Sequence, residues 1–315
     1  MNQSDRYRLP NLSYEAGSYS RYRFVFLGFL FPVFHYLIML LVQVMATACL
    51  SLVFSSESSI TTEEIEKKIL AFLTEYSDIF SLISACLTIL LVIVVYRIIC
   101  VRFQNGSMSP PSVKRYFSLN RINRGLVFKL LLLSFFFYHF VLGFLNLVGL
   151  LAPELMESYH DAAQSVDTGK SAFSLVLSFI ALVIVAPVTE ELVYRNMAIA
   201  NMNSRLSSVA SILISSLIFG LFHGNFVWMI YAGGIGILFG FLYVKSQSIL
   251  VSLVVHIGFN LLGYIYSVLG NFVNGSAVTV VNNVSFCLII MSLIGAPLVF
   301  LWIWLGLSHK EIPIK

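Results

Sequence analysis

Seven residues in this sequence combine reactive side chains with apolar surroundings. The stretch "EELVYR" sets Glu190, Glu191 and Arg195 at the end of the apolar run "FSLVLSFIALVIVAPV". "FGLFH" sets Phe219 and His223 one helical turn apart, and "HIGFN" does the same for His256 and Asn260. A carboxylate beside an imidazole can take a proton from water, and an imidazole with an amide can hydrogen-bond a developing oxyanion. Glu and His together can also ligate a metal, and intramembrane acids and histidines relay protons in transporters. An ionised carboxylate near the bilayer centre costs about 3 kcal/mol on insertion scales, so two adjacent ones need a reason. One reason is structural: Glu190 and Glu191 end a helix at the cytoplasmic interface, with Arg195 pairing to Glu191 at i, i+4 spacing. A lone histidine in an apolar helix is likewise more often a packing residue than a catalyst. Three such anomalies in three successive polar-bearing segments weigh against coincidence.

The elements that must position these groups are membrane helices. The 315-residue chain is 58% hydrophobic and only 11% charged, far from the range of soluble domains. Apolar runs of span length predict eight segments, at 24–54, 79–101, 126–151, 172–194, 207–224, 226–244, 249–270 and 285–307. The expected fold is all-α: a polytopic transmembrane helical bundle. The polar stretch holding Arg6, Arg8, Arg21 and Arg23 before the first, long run argues against a cleaved signal peptide. Lys and Arg concentrate in the N-terminal segment and in 97–129, which holds seven of them and no acid, whereas 55–78 and 152–171 are acidic. The positive-inside rule then puts both termini in the cytoplasm and the acidic segments outside. The net charge of +4 reflects this topology rather than a nucleic-acid partner.

Four regions follow: a cytoplasmic segment 1–23, a transmembrane region 24–165 without reactive motifs, a motif-bearing transmembrane region 166–307, and a cytoplasmic tail 308–315. "NGSMSPPSVK" at 105–114 reads as a flexible connection. Between Lys170 and Lys310 the only charged side chains are Glu190, Glu191, Arg195, Arg205 and Lys245. Cys49, Cys86, Cys100 and Cys287 have no ligand or disulfide spacing and read as packing residues. Pro187, three residues before Glu190, removes a helix hydrogen bond and can open room for water. Gly220 and Gly224, like Gly236 and Gly240, have the small-xxx-small spacing of close helix packing. If 172–194 and 207–224 form a hairpin turning near 204–207, Glu190 and His223 meet at one depth. His256 counts as shallower, so a tilt, a broken helix or a short fifth span must bring it to them.

The motifs EExxxR, FxxxH and HxxxN, here "EELVYR", "FGLFH" and "HIGFN", resemble those of the CAAX protease and bacteriocin-processing family, also called Abi, which includes the Ras-converting enzyme. The similarity covers about residues 170–265 and implies a Ras-converting-enzyme-like core, a glutamate-dependent intramembrane peptidase, and no metal or other cofactor. It implies Glu190 as the general base for water, His223 helping to hold that water, and His256 with Asn260 as oxyanion donors. Glu191, Arg195 and Phe219 would support the site, with Glu191 paired to Arg195 and Glu190 left free to react. The implied partners are the lipid bilayer and a membrane-associated peptide or protein substrate, prenylated or not, in bacterial peptide maturation, signalling or bacteriocin immunity. Three other readings stay open. A metallopeptidase would use Glu190, His223 and His256, although no HExxH is present. A proton-coupled transporter would use the same polar groups, and an immunity or regulatory protein would act by binding a partner membrane protein.

Overall fold

The structure, a computed structural model, describes residues 18–56, 61–104, 122–164, 172–203, 206–270 and 276–307. The arm before Ser18, the connection at 105–114, Arg205 and the tail at 308–315 lie outside them. Every element among the described residues is helical. In chain order these are α1 (Ser18–Ser55), α2 (Thr62–Glu75), α3 (Ser77–Gln104), α4 (Arg124–Leu151) and α5 (Pro153–Gln164). They continue with α6 (Ala172–Met202), α7 (Ser208–Leu221), α8 (Phe226–Ser246), α9 (Ile249–Gly270) and α10 (Ser276–Leu307).

Seven of these helices are long and apolar enough to cross a membrane, and the chain is a multi-pass membrane protein. Its polarity pattern fits that solvent. Leu52, Leu150, Leu217 and Ile294 point outward, while Ser134, Ser211, Ser215, Ser252 and Ser292 are buried between helices. Lipid tails are as apolar as leucine, so helices associate through close approach and interhelical hydrogen bonds rather than hydrophobic exclusion. Thus the Ser134 hydroxyl donates to the Val255 carbonyl across the α4–α9 interface at 3.1 Å. At the α7–α8 interface a Cβ on Gly220 would stand 2.5 Å from the Met229 carbonyl oxygen. Gly236 and Gly240 also face α7, against Ser216 and Ile212.

The segment expected to span over 207–224 is shorter than the rest. α7 has 14 residues, or about 21 Å at 1.5 Å per residue, against a hydrocarbon core of about 30 Å. Ser207 caps its start by accepting from the Ala210 N–H at 3.2 Å. At its end Phe222 leaves the helical region and Gly224 takes φ +78°, a conformation that L side chains rarely adopt. Gly224 is therefore a turn residue, with open space where a Cβ would be, rather than half of a packing pair. Asn225 then starts α8, its side-chain oxygen accepting from the Val227 N–H at 2.9 Å. α6, by contrast, continues past residue 194 to Met202.

The polar helices α2 and α5 sit at one end of the bundle. α2 is fixed by a reciprocal cap, in which the Thr61 N–H donates to Glu64 Oε2 at 2.9 Å and the Thr61 hydroxyl oxygen accepts from the Glu64 N–H at 3.4 Å. α6 to α9 form the inner layer that holds the motif residues. α4 and α10 pack against one another with α4 backing α9, and α1 and α3 flank α6.

Candidate active site

The local geometry of α6 starts with Pro187. Residues 179–185 and 191–199 are wound as π-helix on either side of the short α-helical stretch 186–190. The Ala186 N–H bonds five residues back to Ala181, so the next donor in that register would serve Leu182. That donor is Pro187, which has no N–H. The Asn260 side-chain amide from α9 fills the vacancy, donating to the Leu182 carbonyl at 2.8 Å. Wide turns of this kind cluster at functional sites because they redirect side chains without ending the helix.

The two adjacent glutamates fall in different surroundings. Adjacent residues on a helix diverge by about 100°, so Glu190 lines a cavity while Glu191 is turned inward and fully buried. Glu191 faces Arg195 with Oε2 3.4 Å from Nε, both side chains being at most 1% exposed. The Arg195 guanidinium lies between the rings of Phe219 and Phe239, 5.0 and 5.3 Å from their centroids, and reaches the Gly236 carbonyl at 3.5 Å. His256 joins the two acids. Its Nδ1 is 3.0 Å from Glu191 Oε1, and its Nε2 is 3.5 Å from Glu190 Oε2.

That arrangement constrains the protons. A neutral imidazole has one N–H, and the shorter contact assigns it to Nδ1 facing Glu191. The Nε2 lone pair would then oppose a Glu190 carboxylate unless one proton lies between them. His256 therefore meets both carboxylates favourably only with a hydrogen on each ring nitrogen, which would offset the second acid as Arg195 offsets the first. A neutral cluster is what a low-dielectric interior requires.

The remaining motif residues share the cavity wall. His223 Nδ1 is 2.7 Å from the Phe219 carbonyl. A carbonyl only accepts, so Nδ1 carries the hydrogen and Nε2 of the neutral ring keeps its lone pair for a water or a proton. Glu190, Phe219, His223, His256 and Asn260 all line one cavity of about 430 Å³, and Glu191 and Arg195 lie behind it. Of the three ways to bring His256 level with His223, the short fifth span is present: α7 has 14 residues.

Several residues near this cluster gave no sequence signal. His35, in the middle of α1 and buried, hydrogen-bonds Thr88 of α3 through Nδ1 at 3.1 Å, and the Thr88 hydroxyl donates to the Ser84 carbonyl at 2.8 Å. That direction makes Nδ1 the donor and leaves Nε2 as the acceptor. The His35 ring meets Tyr194 edge-on at 6.2 Å, and its neighbour Tyr36 stacks on Phe222 at 4.5 Å. Tyr138 of α4, Tyr159 of α5, Tyr231 of α8 and Tyr264 of α9 also line the cavity. A histidine in an apolar run becomes legible only when its partner, 53 residues away, is known.

Residues 172–262 match the family model described as Rce1-like, type II CAAX prenyl endopeptidase. The match contains all seven motif residues and none of α1 to α5. No curated protein and no solved structure matches the chain.

Proposed function

We propose that this chain is a metal-independent intramembrane endopeptidase in which Glu190 activates water, a reading supported by the match of residues 172–262 to the Rce1-like family model. Glu190 takes a proton from a water that His223 Nε2 also holds. The water oxygen attacks the carbonyl carbon of the scissile peptide, and the charge that develops on the carbonyl oxygen is met by His256 Nε2–H and by the second amide hydrogen of Asn260. Glu190 then delivers its proton to the leaving nitrogen, so the C–N bond breaks with water's atoms divided between the two products. Glu191 and Arg195 do not touch substrate; they hold His256 and balance its charge.

One observation carries this reading: a carboxylate, two imidazoles and an amide line a single cavity, with a second acid and its arginine buried behind them. The substrate is a membrane-associated peptide or a lipidated protein, and the context we favour is peptide maturation, signalling or bacteriocin immunity in a cell membrane with both chain termini cytoplasmic. The test is comparative peptidomics of membranes carrying the native chain or the Glu190→Gln form. Fragments that vanish with Glu190→Gln are expected. An unchanged peptide profile together with an intact cellular phenotype would replace hydrolysis by a binding role.

A further inference from the structure

The cavity extends from the Glu190–His256 level toward one end of the bundle, and the helix directions identify that end. α6 runs from the end of the bundle that bears α2 and α5 toward the opposite end, and Leu182 and Ala186, its other lining residues, both precede Glu190. α9 runs the other way, and its lining residues Tyr264 and Ser267 both follow His256. Trp228 and Tyr231 contribute from the start of α8, and Tyr159 contributes from α5 itself. All of these lie on one side of the Glu190–His256 level. On the other side the bundle is closed, with Glu191, Arg195, Phe239 and Tyr243 no more than 1% exposed. α5 is tied beside the mouth, because the Asn225 side-chain amide donates to the Ser158 carbonyl and hydroxyl oxygens at 3.2 and 3.1 Å. Tyr159 also meets the Trp228 ring edge-on at 5.8 Å.

Charge identifies the face. Of the 19 Lys and Arg, Lys67 and Lys68 lie in α2, Lys170 falls in sequence between α5 and α6, and Arg195 is internal. All the others come, in chain order, beside the start of α1 or α4, or the end of α3, α6, α8 or α10, the helix ends that lie on the closed side. Lys and Arg mark the cytoplasmic side of membrane proteins.

From the lining order and this asymmetry, we infer that the cavity opens on the non-cytoplasmic face and takes peptide segments presented from that side, rather than chain ends offered from the cytoplasm. The substrate half rests on the hydrolytic reading above; the access half does not. The mouth is walled by tyrosine and tryptophan rings, whose apolar faces and polar tips accept bulky apolar side chains while hydrogen-bonding the backbone beside them.

The experiment uses the full chain carrying Cys49→Ala, Cys86→Ala, Cys100→Ala and Cys287→Ala, with one thiol reintroduced as Ser267→Cys or Leu145→Cys in the cavity wall. Glu157→Cys on α5 and Ser112→Cys in the basic connection mark the two faces. The probe is a charged, membrane-impermeant methanethiosulfonate applied to sealed right-side-out and inverted vesicles. Both cavity thiols and Glu157→Cys should react in right-side-out vesicles, and Ser112→Cys only in inverted ones. Two cavity positions are used so that one misfolded variant does not decide the result. Cavity thiols that react only in inverted vesicles, or in neither preparation until the protein is denatured, overturn the inference, as does Glu157→Cys reacting only in inverted vesicles. Labelling needs no cleavage and should be unchanged by Glu190→Gln. In right-side-out vesicles, Glu190-dependent peptide fragments should appear in the external medium. Fragments confined to the lumen overturn the substrate half, and the absence of any such fragment overturns the hydrolytic reading and its substrate half while the labelling result stands.

Discussion

Replacing Arg195 by methionine removes the one fixed cation from the buried cluster while keeping an unbranched side chain between Phe219 and Phe239. Two unit charges 3.4 Å apart attract by about 5 kcal/mol at an effective dielectric near 20. Most of that attraction is offset by the cost of taking both ions out of water, so the pair contributes little net stability. Breaking it is another matter. With Arg195 gone, the fully buried Glu191 keeps the His256 Nδ1 and Ser252 hydrogen bonds but no fixed cation, and removing one partner of such a pair costs about 3–5 kcal/mol. Arg195→Met should therefore lower the thermal unfolding midpoint of detergent-solubilised protein by on the order of 10 °C. Adding Glu191→Gln should recover most of the loss, because the stranded charge disappears with it. The assay is a thermal-shift series on the native chain, both single variants and the double variant, read as a double-mutant cycle. A midpoint shift of less than about 2 °C for Arg195→Met, or a double variant no more stable than the single, would show that Glu191 is not held as a buried ion and refute the proton accounting built on it.

Glu190→Gln should reduce peptide hydrolysis by about 100- to 10,000-fold, the range for removing a general base, without moving the unfolding midpoint; rates come from peptide mass spectrometry. His35→Ala and Thr88→Val should each slow hydrolysis by up to about 100-fold through a displaced Tyr194 and Glu190. Equal rates in both variants and the native chain would confine that pair to packing. Gly220→Ala should destabilise the fold by about 1–3 kcal/mol by overpacking, because the Met229 backbone oxygen 2.5 Å away cannot rotate aside. Gly234→Ala, with open space around it, is the matched control and should leave the midpoint in place. Dialysis against a chelator should leave hydrolysis intact, and a loss restored by added zinc would move the site to the metallopeptidase class.

What the sequence reveals about this site follows the range of its interactions. Glu190 and Glu191 stand out because two acids in an apolar run conflict with the local solvent, and their separate surroundings follow from helix geometry alone. The spacings of Phe219 with His223 and of His256 with Asn260 are likewise single-helix facts. The contacts of His256 with both glutamates reach across some 65 residues and depend on tertiary packing. The short α7 was hidden because apolarity continues from 207 to 224, and only the Gly224–Asn225 turn interrupts it. The π-helical winding of α6 has no periodic signature, since an apolar stretch looks the same at 3.6 residues per turn or above it. Asn260 shows the same limit: its motif position is visible, but the Leu182 carbonyl that engages it follows from a proline in another helix.

The uneven winding of α6 makes its length a tuned quantity. Each wide turn is equivalent to one residue inserted into an ordinary helix, and such a residue is worth about 100° of rotation. Excising a single amino acid between 191 and 199 would let that stretch relax to regular pitch and turn the side chains beside the cut off the faces they now present. Shuffling this segment between related chains should accordingly tolerate many changes of side chain but almost no change of count.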